Sequence, residues 1–218
     1  MSRALLLVAA GGLAREVLSA VRAGAAPDHE VAGFLDDDLS KAGTSVDGVP
    51  VLGTLDDVTG HPDADLVLCA GRGAARRDLA ARLAKLGVDD TRYARVVHPS
   101  TPVPAGCVVG GGSILLAGVV LTAAVTVGRH VVCMPHVTFT HDDVVEDYAT
   151  LAAGVALGGG VTVGAAAYLG MNSSVRERRR VGDDAVLGMG AALVEDQPAR
   201  TTWAGVPARP LRRQEEPT

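Results

Sequence analysis

Every sixth residue from Val103 onward is apolar, and this series continues without a break to Leu193. The residue after each apolar position is often glycine, and the residue four places after the apolar position is frequently small or β-branched. The members of the series are Val103, Val109, Leu115, Leu121, Val127, Cys133, Phe139, Val145, Leu151, Leu157, Val163, Leu169, Val175, Val181, Leu187 and Leu193.

This period of six predicts a β-solenoid, in which each hexad forms a short strand and a corner, and three hexads close a triangular coil. A β-sandwich would need turn signals roughly every eight to twelve residues, and the sequence lacks them. Because one coil takes about eighteen residues, residues that far apart are expected to stack on neighbouring coils, roughly 4.8 Å from each other.

The chain before the repeat alternates short apolar segments with helical ones. The segments "ALLLVAA", "EVAGFLD" and "ADLVLCAG" are expected to be buried strands, and "LAREVLSAVRAG" and "ARRDLAARLAKLG" to be helices. This alternation predicts a small α/β domain with a Rossmann-like parallel sheet. We therefore predict an α/β domain over residues 1–95 and a solenoid domain with a C-terminal tail over residues 96–218.

Composition narrows the classes of function. The 218 residues carry a net charge of −5 and no long basic run, which argues against a nucleic-acid partner. No apolar stretch is long enough to cross a membrane, and "ALLLVAA" is interpreted as a first strand, not as a signal peptide. Three cysteines without a CxxC pair, Cys69, Cys107 and Cys133, predict reduced, buried thiols in a cytoplasmic protein.

Two histidines, His136 and His141, stand in a segment otherwise rich in Val, Gly and Ala. One coil beyond His141 the solenoid frame leads to Gly159, in "LGGGVTVG". Acyl transfer requires such a pair, because an imidazole can accept a proton from the attacking amine while a backbone N–H stabilises the oxyanion. Glycine suits this position, since a side chain there would block the approach of a thioester.

Further candidates lie at turns of the N-terminal domain. The glycine turn of Gly11 and Gly12, between a strand and a helix, is suited to cradle phosphates through backbone N–H groups. Asp36 and Asp37 follow the second strand, where a carboxylate can accept hydrogen bonds from a base or a ribose. Arg72, in "CAGRGAARRD", is a candidate phosphate contact. Each of these also has a purely structural interpretation, as a packing turn or a solvated loop.

The order of motifs over nearly the whole chain resembles one family. "AAGGLAREV" is followed by "GFLDDD" and "VPVLGTLDD", then by hexads that carry "THDD", and finally by "WAGVPARPL". This succession resembles the left-handed β-helix (hexapeptide-repeat) acyltransferases, and among them the branch that acetylates sialic acid and nucleotide-linked amino sugars. One position departs from the family: a histidine often follows the second glycine of the turn, where this chain has Leu13.

The resemblance implies a left-handed parallel β-helix and an N-acetyltransferase that uses acetyl-CoA, without a metal, to acetylate a nucleotide-linked amino sugar. It also implies a homotrimer, with acetyl-CoA between neighbouring β-helices and the nucleotide-linked sugar on the N-terminal domain. The family's catalytic histidine falls on His141, which implies direct transfer with this residue as general base. The acid that orients it would be Asp142, or alternatively Asp143.

The expected CoA site includes the glycines beside His141 and part of the basic segment "VRERRRVG". Guanidinium groups suit the phosphates of CoA, although the same segment is equally well explained as a charged corner that keeps the solenoid surface soluble. The candidates are Gly159, Gly160, Arg178 and Arg180.

Three other functions are compatible with these residues. An O-acetyltransferase acting on a sugar hydroxyl, of the sialic-acid type, would use the same groups. The spacing H-x4-H also occurs in the γ-class carbonic anhydrases, so His136 and His141 would bind zinc if His98 or His130 supplied a third ligand. The solenoid would be a trimerisation scaffold beside a nucleotide sensor if replacement of His141 left the function unchanged.

Overall fold

The computed structural model describes residues 2–211, and residues 212–218 of the predicted C-terminal tail lie outside this range. The N-terminal part is a five-stranded sheet of order β3-β4-β2-β1-β5, parallel except for the hairpin of β3 and β4. Its elements are β1 (Arg3–Val8), α1 (Gly12–Arg22), β2 (His29–Leu35), β3 (Ser45–Val46), β4 (Val49–Gly53), β5 (Asp65–Leu68) and α2 (Gly73–Lys85), with 3-10 turns at Leu39–Lys41, Leu55–Gly60 and Asp90–Arg92.

Both faces of this sheet are covered, which explains why its central strands are continuously apolar. Side chains alternate along β1, so that Leu5 and Leu7 pack in one cluster with α1, while Leu6 packs in another with Leu83 of α2. The predicted Rossmann-like α/β region is thereby confirmed.

From Val108 onward the chain winds into triangular coils of short strands, almost all two residues long, and the strand Val96–Val97 joins one of their sheets ahead of the first coil. Three parallel sheets result, which we name face I (β7, β10, β13, β16, β19), face II (β6, β8, β11, β14, β17, β20, β22, β23) and face III (β9, β12, β15, β18, β21). The chain passes from I to II to III in each coil, and only the final pair, β22 with β23, is antiparallel.

The strands of the solenoid are β6 (Val96–Val97), β7 (Val108–Val109), β8 (Ile114–Leu115), β9 (Val120–Leu121), β10 (Thr126–Val127), β11 (Val132–Cys133), β12 (Thr138–Phe139), β13 (Val144–Val145), β14 (Thr150–Leu151), β15 (Ala156–Leu157), β16 (Thr162–Val163), β17 (Tyr168–Leu169), β18 (Ser174–Val175), β19 (Arg180–Val181), β20 (Val186–Leu187), β21 (Ala192–Leu193), β22 (Thr202–Ala204) and β23 (Arg209–Pro210).

The register of the coils follows the six-residue period. Val127 pairs with Val109 on one side and with Val145 on the other, so residues one coil apart do stack. The apolar positions from Val109 to Leu193 all point into one buried core. The first member of the series was assigned wrongly: Val103 is 42% exposed and lies before β7, because the first closed coil begins one hexad later. The predicted left-handed β-helix is confirmed.

The N-terminal part packs on face II. Ile114 and Val132, which point outward from that face, are buried in the same cluster as Leu5 and Val17. Burial of these apolar side chains explains why the solenoid is not polar on this side.

The cysteines are free thiols, as expected, but only Cys69 and Cys133 are buried. Cys107 is half-buried, because it lies in the loop before the first closed coil. No helix within residues 2–211 is both long and apolar enough to cross a membrane.

Candidate active site

His141 lies at the corner between β12 and β13, where the chain passes from face III to face I. Its imidazole covers Gly159 of the next coil: a Cβ atom added to Gly159 would overlap with Nε2 and lie 2.5 Å from Cε1. The structure therefore brings together the two residues that the solenoid frame paired.

The two acids after His141 have different environments. Asp142 Oδ2 lies 2.8 Å from His141 Nδ1, with both side chains about 70% exposed to solvent (70% and 68%). Asp143 is buried and accepts hydrogen bonds from the backbone N–H groups of Val161 (2.8 Å) and Thr140 (2.9 Å). Burial raises the pKa of Asp143 to about 6, in spite of these two hydrogen bonds. Asp142 thus lies against the imidazole, whereas Asp143 is bonded to the backbone of its own corner and of the next coil.

The backbone N–H of Gly159 is a hydrogen-bond donor that lies beside the imidazole. Its carbonyl accepts a hydrogen bond from Arg178 N (2.9 Å), and Gly160 N donates to His141 O (2.9 Å). Within residues 2–211, no acceptor takes a hydrogen bond from the N–H of Gly159. This donor is therefore available to a ligand that lies next to His141 Nε2.

The histidines proposed as further zinc ligands, His136 and His130, do not lie near His141 within residues 2–211. His136 lies at the preceding corner, between faces II and III, against Gly118. His130 is buried between the rings of Tyr93 and Tyr148. Among the described residues, no three His, Cys, Asp or Glu side chains are grouped closely enough to hold a metal ion.

Beside the contact in which the N-terminal part packs on face II, a cleft of about 930 Å³ opens between the two. One wall consists of the starts of the two helices, including Gly12, Leu13, Glu16 and Arg72. These lie beyond the carboxyl ends of β1 and β5, which are adjacent strands with α1 and α2 on opposite sides, and ligands of open α/β sheets bind at such points. Gly11 precedes α1 at its N-cap.

The second wall of the cleft comes from the solenoid, and no sequence signal pointed to it. Tyr168 and Val186 project from face II, and Met171 lies at the following corner. These positions look like ordinary members of the hexad pattern, so only the docking of the N-terminal part reveals that they line a cleft.

The two predicted substrate carboxylates are already engaged within the chain. Asp36 accepts hydrogen bonds from Ala10 N (2.7 Å) and Lys41 Nζ (2.8 Å), which lowers its pKa against the effect of burial. Asp37 pairs with Arg82 and accepts a hydrogen bond from Leu55 N (3.1 Å). Asp36 thereby fixes the backbone next to the glycine turn, and neither carboxylate lines the cleft.

The two arginines expected to contact CoA also differ. Arg180 forms ion pairs with Glu146 and Asp183, both at 3.1 Å. Arg178 is exposed, at the corner one coil beyond Gly160, and forms no ion pair with any carboxylate of residues 2–211. Within the described part of the chain, the guanidinium group of Arg178 is thus the one of the two without a carboxylate partner.

His141 and the cleft lie on opposite sides of the same solenoid. The corner between faces III and I is across the triangular coil from face II, where the N-terminal part docks. One chain by itself therefore does not bring a ligand of the cleft to His141.

Three solved structures are similar to this chain over almost its full length. The acetyltransferase domain of PglB from Neisseria gonorrhoeae is 27% identical, with a TM-score of 0.84 over 96% of this chain and 100% of that one. A variant of perosamine N-acetyltransferase from Caulobacter crescentus, in complex with CoA and GDP-perosamine, is 27% identical, with a TM-score of 0.87 over 96% and 97%. WeeI from Acinetobacter baumannii is 27% identical, with a TM-score of 0.82 over 96% and 100%.

Curated relatives match a shorter region. The acyl-(acyl-carrier-protein)–UDP-N-acetylglucosamine O-acyltransferase of Pseudomonas putida is 33% identical in an alignment of 112 residues that covers 48% of this chain. The matched region spans only 43% of the length of that relative. No family model matches the sequence. The resemblance that the motifs predicted is nevertheless confirmed: the chain has the fold and the hexapeptide repeat of the left-handed β-helix acyltransferases.

Proposed function

We propose that this protein transfers the acetyl group of acetyl-CoA to the amine of a nucleotide-linked amino sugar, as a cytoplasmic homotrimer. The observation that carries the proposal is the imidazole of His141 lying over Gly159, with Asp142 at its other nitrogen. The structures of a Neisseria acetyltransferase domain with acetyl coenzyme A and of the Caulobacter N-acetyltransferase with CoA and GDP-perosamine support the choice of donor and acceptor.

The chemistry follows from the two nitrogens of His141. With Nδ1–H donating to Asp142 Oδ2, Nε2 carries the lone pair and accepts the proton of the attacking amine. The amine nitrogen bonds to the thioester carbonyl carbon, and the N–H of Gly159 donates to the oxygen that gains negative charge. The imidazolium then returns its proton to the departing sulfur, so transfer is direct and leaves His141 unchanged.

The donor site proposed here consists of Gly159, Gly160 and Arg178. The bare glycine surface fits a thioester beside His141, because any side chain at residue 159 would occupy that space. Arg178 offers a guanidinium group within one coil of this surface, with no carboxylate partner among residues 2–211, and such a group suits a phosphate of CoA. The ion pairs of Arg180 make it a weaker candidate.

The cleft between the N-terminal part and face II is the proposed acceptor site. Two helices begin there, and their first backbone N–H groups are suited to the diphosphate of a nucleotide-linked sugar. Gly12 and Arg72 line the cleft, and Gly11 adjoins it. Asp36 contributes by holding the backbone next to the glycine turn.

Since His141 and the cleft of one chain face opposite ways, we propose that each active site combines the cleft of one copy with His141 of the next. A closed ring of three copies, each contacting the next in the same way, repeats this arrangement three times. The outward side chains of faces I and III support such packing, since Val108, Val120 and Val144 are exposed apolar residues there.

An O-acetyltransferase is the second candidate. The similarity to curated O-acyltransferases favours it, although that similarity covers only 48% of the chain. A sugar hydroxyl would meet the same imidazole and the same glycine N–H.

Release of CoA from acetyl-CoA tests both candidates, with a panel of nucleotide-linked amino and hydroxy sugars as acceptors. We expect an amino sugar to drive release, and His141→Ala to lower the rate by at least about 100-fold, the contribution typical of a general base. His136→Ala, at an exposed corner of the solenoid, is the matched control. Release driven by hydroxy sugars alone would establish the O-acetyltransferase. Full activity of His141→Ala would refute the proposed mechanism.

A further inference from the structure

Arg76, in the first turn of α2, is fully buried without a carboxylate beside it among the described residues. Its hydrogen bonds go to main-chain carbonyl groups and one hydroxyl. Nε donates to His130 O (2.8 Å), Nη1 to Ala70 O (2.8 Å) and Gly71 O (3.1 Å), and Nη2 to Tyr148 O (2.7 Å), Ala149 O (3.0 Å) and Thr150 Oγ1 (3.0 Å).

These bonds join the two walls of the cleft. Ala70 and Gly71 belong to the segment that leads from β5 into α2, and residues 71–74 of that segment line the cleft. The remaining partners belong to the solenoid, including Thr150, which also lines the cleft and donates its own hydroxyl hydrogen to Gly71 O (3.0 Å).

The walls meet closely beside this arginine. A Cβ atom added to Gly73 would overlap with Tyr148 O and lie 2.9 Å from Ala166 Cα. The start of α2 therefore touches the solenoid backbone, and a displacement of residues 70–74 would change the width of the cleft directly.

The side chain is chemically suited to this task. Burial lowers the pKa of Arg76 to about 10, so the guanidinium group remains protonated near neutral pH and keeps all its N–H donors. Its planar fork reaches carbonyl groups in several directions, whereas a lysine ammonium group is a single point with three donors.

We propose that Arg76 is a positioning residue for the acceptor substrate: it fixes residues 70–74 against the solenoid and so sets the shape of the cleft. This inference rests on the proposed function of the cleft as the acceptor site. Arg76 does not line the cleft and acts through Gly71 and Thr150. Because Arg76 bonds only to the two walls of the cleft and to no residue of the proposed donor site, its replacement should weaken binding of the acceptor far more than it changes donor binding or the chemical step.

The test compares Arg76→Lys with Arg92→Lys. Arg92 also donates to main-chain carbonyls, those of Ala64 (2.9 Å and 2.6 Å) and His61 (2.8 Å), but it lies near the start of β5, away from the cleft. We expect Arg76→Lys to raise the acceptor KM by at least about 10-fold, while kcat and the acetyl-CoA KM change by less than about threefold. Arg92→Lys should leave all three parameters near their wild-type values.

Two further measurements keep the proposal testable if Arg76→Lys does not fold. Thr150→Val removes one hydroxyl from the same network and should raise the acceptor KM in the same direction, by about threefold. Amide hydrogen exchange, which needs no substrate, should show faster exchange over residues 70–74 in either cleft variant than in Arg92→Lys.

The two possible failures can be told apart. A wild-type protein that acetylates no acceptor refutes the proposed function. An active wild type with an unchanged acceptor KM in both Arg76→Lys and Thr150→Val, or with equal changes in the donor and acceptor KM values, refutes the inference about Arg76.

Discussion

The imidazole of His141 occupies the space in which a Cβ atom of residue 159, one coil further on, would lie, and this explains why residue 159 is glycine. Two equivalent corner positions are Ala123, two coils before Gly159, and Glu177, one coil after it, as the hydrogen bonds between coils show. Both carry side chains, so the backbone conformation does not demand glycine. It is the histidine that leaves no room for a Cβ atom.

Gly159→Ala should therefore impair catalysis and leave the fold intact. The added methyl group would displace the imidazole from the reacting groups, and we expect kcat to fall by about 100-fold. The melting temperature should stay within about 2 °C of the wild-type value, since the neighbouring coils accept side chains at this position. The checks are CoA release and thermal unfolding, with Gly60→Ala as a control, because a Cβ there meets nothing within 4 Å. A fully active Gly159→Ala protein would remove Gly159 from the site.

Substitution of Asp142 should impair catalysis, whereas substitution of Asp143 should lower the stability of the corner. Asp142→Asn removes the charge at His141 Nδ1 from an exposed pair, so we expect kcat to fall by about 10- to 100-fold with no change in melting temperature. Asp143→Asn places an NH2 group against one of two backbone N–H donors, and should cost about 1–3 kcal/mol of unfolding free energy. Steady-state kinetics measures kcat of the two variants, and urea unfolding measures their stability. A loss of kcat in Asp143→Asn but not in Asp142→Asn would assign the orienting role to Asp143.

His130 should make the fold sensitive to acid. Burial lowers its pKa to about 4, whereas in the unfolded chain histidine titrates near about 6.5. Between these values the unfolded state binds the proton and the folded state does not, so stability falls as the pH falls. The full effect is about 3 kcal/mol, reached near pH 4.

Urea unfolding at about pH 7 and about pH 4.5 tests this effect in wild type and His130→Phe, which keeps a ring between Tyr93 and Tyr148. The variant should lose less stability on acidification. Asp143 contributes with the opposite sign, because its pKa is raised to about 6, but it is present in both proteins and cancels in the comparison. Equal losses in the two proteins would contradict the assignment to His130.

Mixed oligomers should recover activity if each active site combines two copies. His141→Ala keeps an intact cleft, and Ala153→Trp fills the cleft but keeps His141. The corner position of residue 153 should accept a large side chain, since Met171 occupies it one coil later. When the two inactive variants are co-expressed in equal amounts, random trimers should regain about one quarter of the wild-type activity. No recovery in isolated mixed trimers would place the whole site within one chain.

The solenoid could be predicted from sequence because its structure repeats with its residues. The period of six predicts which side chains point inward, and the three-hexad coil predicts that Gly159 lies next to His141. Val103 was misassigned because an apolar residue in the lead-in loop fits the same period by coincidence. Pattern alone does not mark where the first coil closes.

Contacts between the two parts of the chain could not be predicted in this way. Arg76 stands in "ARRDLAARLAK" beside Arg77, and nothing in that segment distinguishes the buried arginine from its neighbour, which pairs with Asp184 at the surface. The partners of Arg76 are almost all main-chain carbonyls, which have no sequence signature. Asp36 and Asp37 follow β2, as the segment pattern predicts, but their hydrogen bonds within the chain have no signature in the sequence.

The stacking of Val109, Val127 and Val145 limits how this chain can change in length. Insertion or loss of a whole coil, about eighteen residues, leaves every later residue on its own face. Loss of a single hexad before His141 would turn all later residues by one third of a revolution, and the histidine would come to the edge between faces II and III. The solenoid is therefore expected to change in length by whole coils during evolution, with shorter insertions confined to loops at its corners.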